Sequence, residues 1–300
     1  LGTGVGFSVI LNKQILMSNG LPVDLSHTSF LKNNIQCSCG KTDCIEKYIS
    51  IKALRAKLNA RLAEKHNIND NLKIEIILEK YDIKVTEVEY IVQWAEDKRS
   101  YEQKYKEQMC FHMCKLFGVK HINVGLMENY SIEHTAQKLK ELCQRSSPYI
   151  IGVEPMPYSG IPDFDKAYAV VKQANVENAA IILDSWHWVR ADQEYRILTK
   201  EEAESVISIQ INDAYDRPYA KSVLRDESMH DRLAPGTGVK DTAGFVKMIK
   251  ESGINPKVIG VEVISDEILS KGVEEAAKHN FDNTVKVLKE AWSEKLPNNK

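Results

Sequence analysis

No apolar run in this 300-residue chain approaches the roughly 18 residues that a bilayer-spanning helix needs, and no charged start followed by an apolar stretch marks a secretory leader. On that reading the chain is cytoplasmic and has no membrane partner. Charge of one sign is also missing: 40 Lys and Arg oppose 42 Asp and Glu, a net of −2. No basic stripe interleaved with aromatics runs through it, which argues against nucleic acid as a partner. Cysteine is sparse, and the six fall into two groups. Cys37, Cys39 and Cys44 cluster, which in a reducing compartment points to metal; Cys110, Cys114 and Cys143 sit in helix-like, Lys- and Glu-rich sequence and point to packing.

What is present is an alternation. The first fifty residues are rich in Gly, Asn, Ser and short β-branched runs, and then the texture changes. From Ile51 to His66 the leucines 54, 58 and 62 recur at helical spacing among basic residues, an amphipathic helix, and NIND supplies a turn that sets a boundary near residue 67. Beyond it, strands are expected at 83–91, 119–126, 150–155, 179–184, 207–212 and 258–263. Helical stretches separate them, clearest at 138–143, 164–173, 201–206 and 243–251, with a last helix over 273–292. Gly118, Asn175 and Gly253 stand where helix ends favour a left-handed residue. Strands alternating with helices mean a parallel α/β sheet, because each crossover helix returns the chain to the same edge.

Four of these runs end on a side chain that can hold a metal: VEP at Glu154, IILD at Asp184, SIQ at Gln210 and GVEV at Glu262. In a parallel sheet, ligands collect at the carboxyl ends of the strands, so polar residues repeated at that point of successive strands describe a site. Three carboxylates and an amide are hard oxygen donors, which suit Mg²⁺ or Mn²⁺ better than Zn²⁺. His187 follows Asp184 by three residues in LDSWHW and can reach the same rim. Epimerisation needs two bases on opposite faces of a carbon acid, and two strand-end glutamates favour proton transfer over simple hydrolysis.

The spacing of Glu154, Asp184 with His187, Gln210 and Glu262, together with GVEPMP, DSWH, INDA, the R-x-x-PGTG of Arg232 to Gly238, and GVEV, resembles the sugar phosphate isomerase/epimerase family, the xylose-isomerase-like TIM barrels, over about residues 72–300. The resemblance implies a TIM-barrel-like parallel sheet and a sugar or sugar-phosphate substrate isomerised or epimerised through an enediolate. It makes Glu154 and Glu262 the acid/base pair. Glu154, Asp184, Gln210 and Glu262 become the shell of Mn²⁺ or Mg²⁺, and His187 with Arg217 or Arg232 hold substrate oxygens. Many relatives carry His where this chain has Gln210. Too few histidines surround the rim for the trinuclear zinc site of related DNA-repair endonucleases.

The amino-terminal segment reads differently. LGTGVG, then Asn19-Gly20, then DLSH ending at His27, then CSCGKTDCIEKY resemble the ROK family of sugar kinases and repressors over about residues 1–67. A CxCGxxxC run with an upstream His is a strong signal for structural Zn²⁺ held by His27, Cys37, Cys39 and Cys44. Asp24, Ser26 and Asp43 depart from that family's pattern, and the phosphate loop and catalytic aspartate that the resemblance places ahead of LGTGVG do not occur in this sequence. The expected organisation is thus a ROK-like zinc-binding segment at 1–67 followed at 68–300 by a barrel that lacks its first two β/α units. Such a fusion exposes two sheet edges, which predicts self-association into a homo-oligomer. An alternative makes 71–78 a further strand. The leading function is metal-dependent sugar isomerisation or epimerisation; the alternative is a non-catalytic carbohydrate-binding or regulatory remnant.

Overall fold

The computed structural model describes residues 10–11, 14–15, 17–18, 21–22, 29, 34–37, 40–44, 47 and 78–292, the last stretch without 217–219, 239–240 and 257–258. Two compact units divide the chain, Leu1–Lys84 and Val85–Lys300. The amphipathic helix expected at 51–66, the LGTGVG turn, nearly all of the 71–78 strand, His27, Cys39 and Arg217 lie outside the described residues.

In the first unit, β1 (Ile10–Leu11) pairs antiparallel with β2 (Gln14–Ile15), and β3 (Met17–Ser18) with β4 (Leu21–Pro22). The Cys-rich stretch folds back on itself. Gln36 and Thr42 form an antiparallel bridge, the Cys37 amide donates to the Lys41 carbonyl at 2.8 Å, and the Asp43 carboxylate accepts from the amides of Asn34 and Ile35 at 2.9 and 3.0 Å. Cys37 and Cys44 are both buried there.

The second unit is one parallel sheet of six strands in sequence order: β5 (Val88–Ile91), β6 (His121–Val124), β7 (Ile150–Val153), β8 (Ala179–Asp184), β9 (Val206–Ile211) and β10 (Ile259–Val261). Each lies within its expected segment apart from β9, which starts one residue early; β5 is shorter, its first five expected residues remaining outside the strand. Between them run α1 (Tyr101–Phe117), α2 (Ile132–Ser146), α3 (Phe164–Ala174), α4 (Ser185–Arg190), α5 (Lys200–Glu204), α6 (Leu224–His230) and α7 (Thr242–Glu251), followed by α8 (Asp266–Ser270) and α9 (Val273–Ala291). Local chemistry sets their ends. Ser100 caps α1 reciprocally with Gln103, and Thr199 caps α5 with Glu202. Gly118 and Asn175 adopt the left-handed conformation that closes α1 and α3.

One face of the sheet packs on the helices. Ile122, Val124, Ile151, Val153, Ile181, Leu183, Ile209 and Ile211 are essentially inaccessible and meet Leu139 and Leu142 of α2, Phe164 and Val170 of α3, and Phe245 and Ile249 of α7. Cys114 and Cys143 belong to the same core, and burial pushes both thiols up to about 12, so they act as small apolar groups. The opposite face is polar and curls upon itself. Ser208 Oγ of β9 donates to Glu87 Oε2 at 3.2 Å, and Gln210 Nε2 donates to Glu89 Oε1 at 3.2 Å, although β5 and β9 are four strand spacings apart in the sheet. Laid flat, four spacings cover about 19 Å. The sheet is therefore a half-barrel, and side chains from its first and fifth strands meet across the interior. Gly152 makes room there, since a Cβ at that position would sit 2.5 Å from His121 Nε2 and 2.9 Å from Ile182 Cγ1.

Candidate active site and metal centre

Alternation along the strands places Glu154, Asp184, Gln210 and Glu262 on the curled inner face. Asp184 is the last residue of β8 and Gln210 its register partner on β9, while Glu154 and Glu262 directly follow β7 and β10. Asp184 has a second task. Its Oδ1 accepts from the His187 amide at 2.8 Å, so it caps α4 and fixes the turn that carries His187 back over the strand ends. The Asp-x-x-His spacing is thus the spacing of a cap and the third helical residue.

One oxygen from each of Glu154, Asp184 and Glu262 lies within 4.8 Å of the others. Glu154 and Asp184 are 6% and 2% exposed. Three carboxylates this close need positive charge, and Arg232 supplies one unit of it. Its Nη1 donates to Asp184 Oδ2 at 3.0 Å and to Glu262 Oε2 at 2.9 Å. The rest of the guanidinium is pinned by α6: Nε donates to the Ser228 carbonyl at 2.9 Å and Nη2 to Ser228 Oγ at 2.8 Å. Ser228 in turn meets Tyr158 Oη at 3.1 Å, and Tyr158 approaches the His187 ring edge-on at 5.7 Å. His187 Nε2 stands 3.4 Å from Glu154 Oε1 and 3.4 Å from Arg232 Nη2. Its Nδ1 is buried with no protein partner among the described residues.

Asn212 is the connection that the sequence reading left without a role. Fully buried, it donates from Nδ2 to Asp184 Oδ2 at 2.7 Å and to the Glu262 carbonyl at 3.1 Å, while its Oδ1 accepts from Ser185 Oγ and the Trp186 amide, each at 2.8 Å. One amide thereby ties the ends of β8, β9 and β10 together. The signal was available: Asn212 follows Gln210 by two and so shares its face. Glu89, Asn123 and Glu87 with His121 were also missed, because their partners come from strands remote in the chain. Glu89 Oε1 accepts from Asn123 Nδ2 as well as from Gln210, and His121 Nδ1 lies 3.5 Å from Glu87 Oε2.

Trp188 is a core residue against Phe164 and Phe245, and Trp186 is wholly buried under the guanidinium of Arg232. His230 is exposed on α6, with Nδ1 2.9 Å from the Asp226 carbonyl. Among the described residues, the three carboxylates are the one cluster of His, Cys, Asp and Glu suited to an ion, and no helix is long and apolar enough to cross a membrane.

The residues fit a divalent cation. Three carboxylates against one guanidinium leave two negative charges, the carboxylate oxygens converge, and beside them the buried Gln210 Oε1 has no protein partner among the described residues. Without a cation the deficit appears in Glu262, whose carboxyl is pushed up to about 8: burial is the main cause, Arg232 opposes it, and Asp184, Glu154 and Glu89 reinforce it. A carboxyl raised above its unfolded value of 4.5 stabilises the fold fully below that pH and loses the contribution as pH rises through about 8. We expect metal-free protein to lose stability relative to Glu262→Gln between about pH 5 and about pH 8 in urea unfolding. A constant difference between the two proteins across that range would contradict the assignment.

Set against known proteins, the family described as xylose isomerase-like TIM barrel matches residues 47–290. Among curated relatives, the inosose isomerase of Bacillus licheniformis is 27% identical over 187 residues, covering 58% of this chain and 65% of its own length. That of Bacillus subtilis strain 168 is 28% identical over 192 residues, covering 60% of this chain and 66% of its own. The chain thus spans just under two thirds of these relatives' length. In fold it is similar to the IOLI protein, solved at 1.8 Å with a binding zinc atom, at a TM-score of 0.62 and 21% identity, over 79% of this chain and 94% of that one.

Proposed function

Because the chain belongs to the xylose isomerase-like TIM barrel family, we propose that it is an isomerase or epimerase of a sugar or sugar phosphate, dependent on a divalent metal and acting by proton transfer through an enediolate. The convergence of Glu154, Asp184 and Glu262 at the ends of β7, β8 and β10 is the observation that carries this reading. The relatives' name, inosose isomerase, supports a sugar-like substrate.

Glu154, Asp184, Glu262 and the Gln210 oxygen would hold the ion, and an all-oxygen set favours Mn²⁺ or Mg²⁺. When bound, the ion supplies stabilisation of negative charge on substrate oxygens. The protein's own groups do the rest. Glu154 and Glu262 come from β7 and β10, so carboxylates reach the reacting carbon from separated strands, one removing a proton beside the carbonyl and the other returning it. Arg232, held by Ser228, presents a fixed cation to developing negative charge. His187 Nδ1 and Tyr158 Oη stand at the same rim, where substrate hydroxyls would be oriented.

The test is exchange. Full-length protein loaded with Mn²⁺ is expected to replace a carbon-bound proton of a ketose, cyclic polyol ketone or their phosphates with deuterium in D₂O, and to stop when the ion is chelated. Absence of exchange with every member of such a panel would remove the enzymatic reading.

A further inference from the structure

Glu89 is not one of the three converging carboxylates, yet it bonds Gln210, the register partner of Asp184. Two side-chain amides of the half-barrel interior, Asn123 on β6 and Gln210 on β9, both turn their nitrogens to one oxygen of Glu89. Their oxygens, Asn123 Oδ1 and Gln210 Oε1, are buried without a protein partner among the described residues. An amide flipped the other way would press its oxygen against a carboxylate, a repulsive contact in a poorly solvated interior. Glu89 therefore selects one orientation for each amide. Gln210 thus spends its nitrogen on β5 and keeps an unpartnered oxygen, with Asp184 as its register partner on β8.

We infer that Glu89 is a positioning residue for the metal centre: by holding Gln210 Nε2 it commits Gln210 to bind a cation through Oε1. The inference rests on the proposed metal site and adds to it a group four strands away in the sheet. An imidazole at position 210 would make the same demand, because a metal-bound histidine is oriented by donating its other ring N–H to an acceptor. A glutamine can offer either an oxygen or a useless NH₂, so the chain needs an acceptor behind it, and Glu89 is that acceptor.

The experiment is a titration of metal-free full-length protein with Mn²⁺, read by the paramagnetic signal of the free ion. Glu89→Ala is expected to weaken Mn²⁺ about 10–100-fold, the usual range for a residue that orients a ligand. Glu89→Gln keeps a carbonyl oxygen able to accept from Gln210, so it should recover much of that loss. If Glu89 acted only as a nearby negative charge, Glu89→Gln would lose as much as Glu89→Ala, and the inference would be wrong. Gln210→Ala should make a further Glu89→Ala change nearly silent, because the two act through one contact. Additive losses in the double variant would equally overturn it. Wild-type protein that binds no Mn²⁺ would overturn the metal site itself, together with this inference. Wild-type binding with unchanged affinity in Glu89→Ala would overturn only the role of Glu89.

Discussion

Glu262→Gln is expected to cut deuterium exchange about 10²–10⁴-fold, the range that a positioned general base contributes, while weakening Mn²⁺ far less. The asymmetry follows from geometry. Glutamine has nearly the same shape, keeps an oxygen where Arg232 donates at 2.9 Å, and leaves Glu154 and Asp184 to hold the ion. It cannot take up a proton. Exchange measured beside an Mn²⁺ titration separates the two effects, and a variant retaining a tenth or more of wild-type exchange would exclude Glu262 as the base.

The second large effect concerns stability. Arg232 is 2% exposed and is the cation bonded to both Asp184 and Glu262. Arg232→Met keeps much of the packing against Trp186 but strands two carboxylates. Breaking a buried ionic group by removing one partner costs about 3–5 kcal/mol, and a loss of that size is expected in urea unfolding without metal. The same variant should regain stability with Mn²⁺ to a greater degree than wild type does, since the ion then replaces a missing charge and binding to the native state adds directly to stability. An unfolding midpoint that does not move on substitution would show that Arg232 is not the internal counter-charge.

The parts of this architecture that were legible are those written locally. Apolar runs such as IILD and SIQI read as buried parallel strands, and the polar residue at each run's end marks the one place where such a strand meets solvent and ligand. Asp184 and His187 were readable because a cap and the residue it bonds lie three apart. Glu89 was not. Its importance arises from the curl of the sheet, which brings residues 121 apart in sequence, Glu89 and Gln210, to 3.2 Å. Nothing in KVTEVEYI distinguishes a glutamate facing solvent from one facing a buried amide. The pinning of Arg232 by Ser228 was equally hidden, because it depends on how α6 is laid over the strand ends rather than on any spacing along the chain.

The strand beneath Glu262 is the slightest of the six. It has three residues, pairs among the described residues with β9 alone, and leaves Val261 41% exposed. Local opening of a short, half-covered edge strand costs less free energy than opening of a central one. An ion or substrate that gripped Glu262 together with Asp184 would therefore do two things through one contact, filling the site and suppressing the excursions of the sheet's last edge. Part of its intrinsic affinity would go into that ordering, so any change that stiffens β10 from outside should tighten binding without touching a ligand, and slow release along with it.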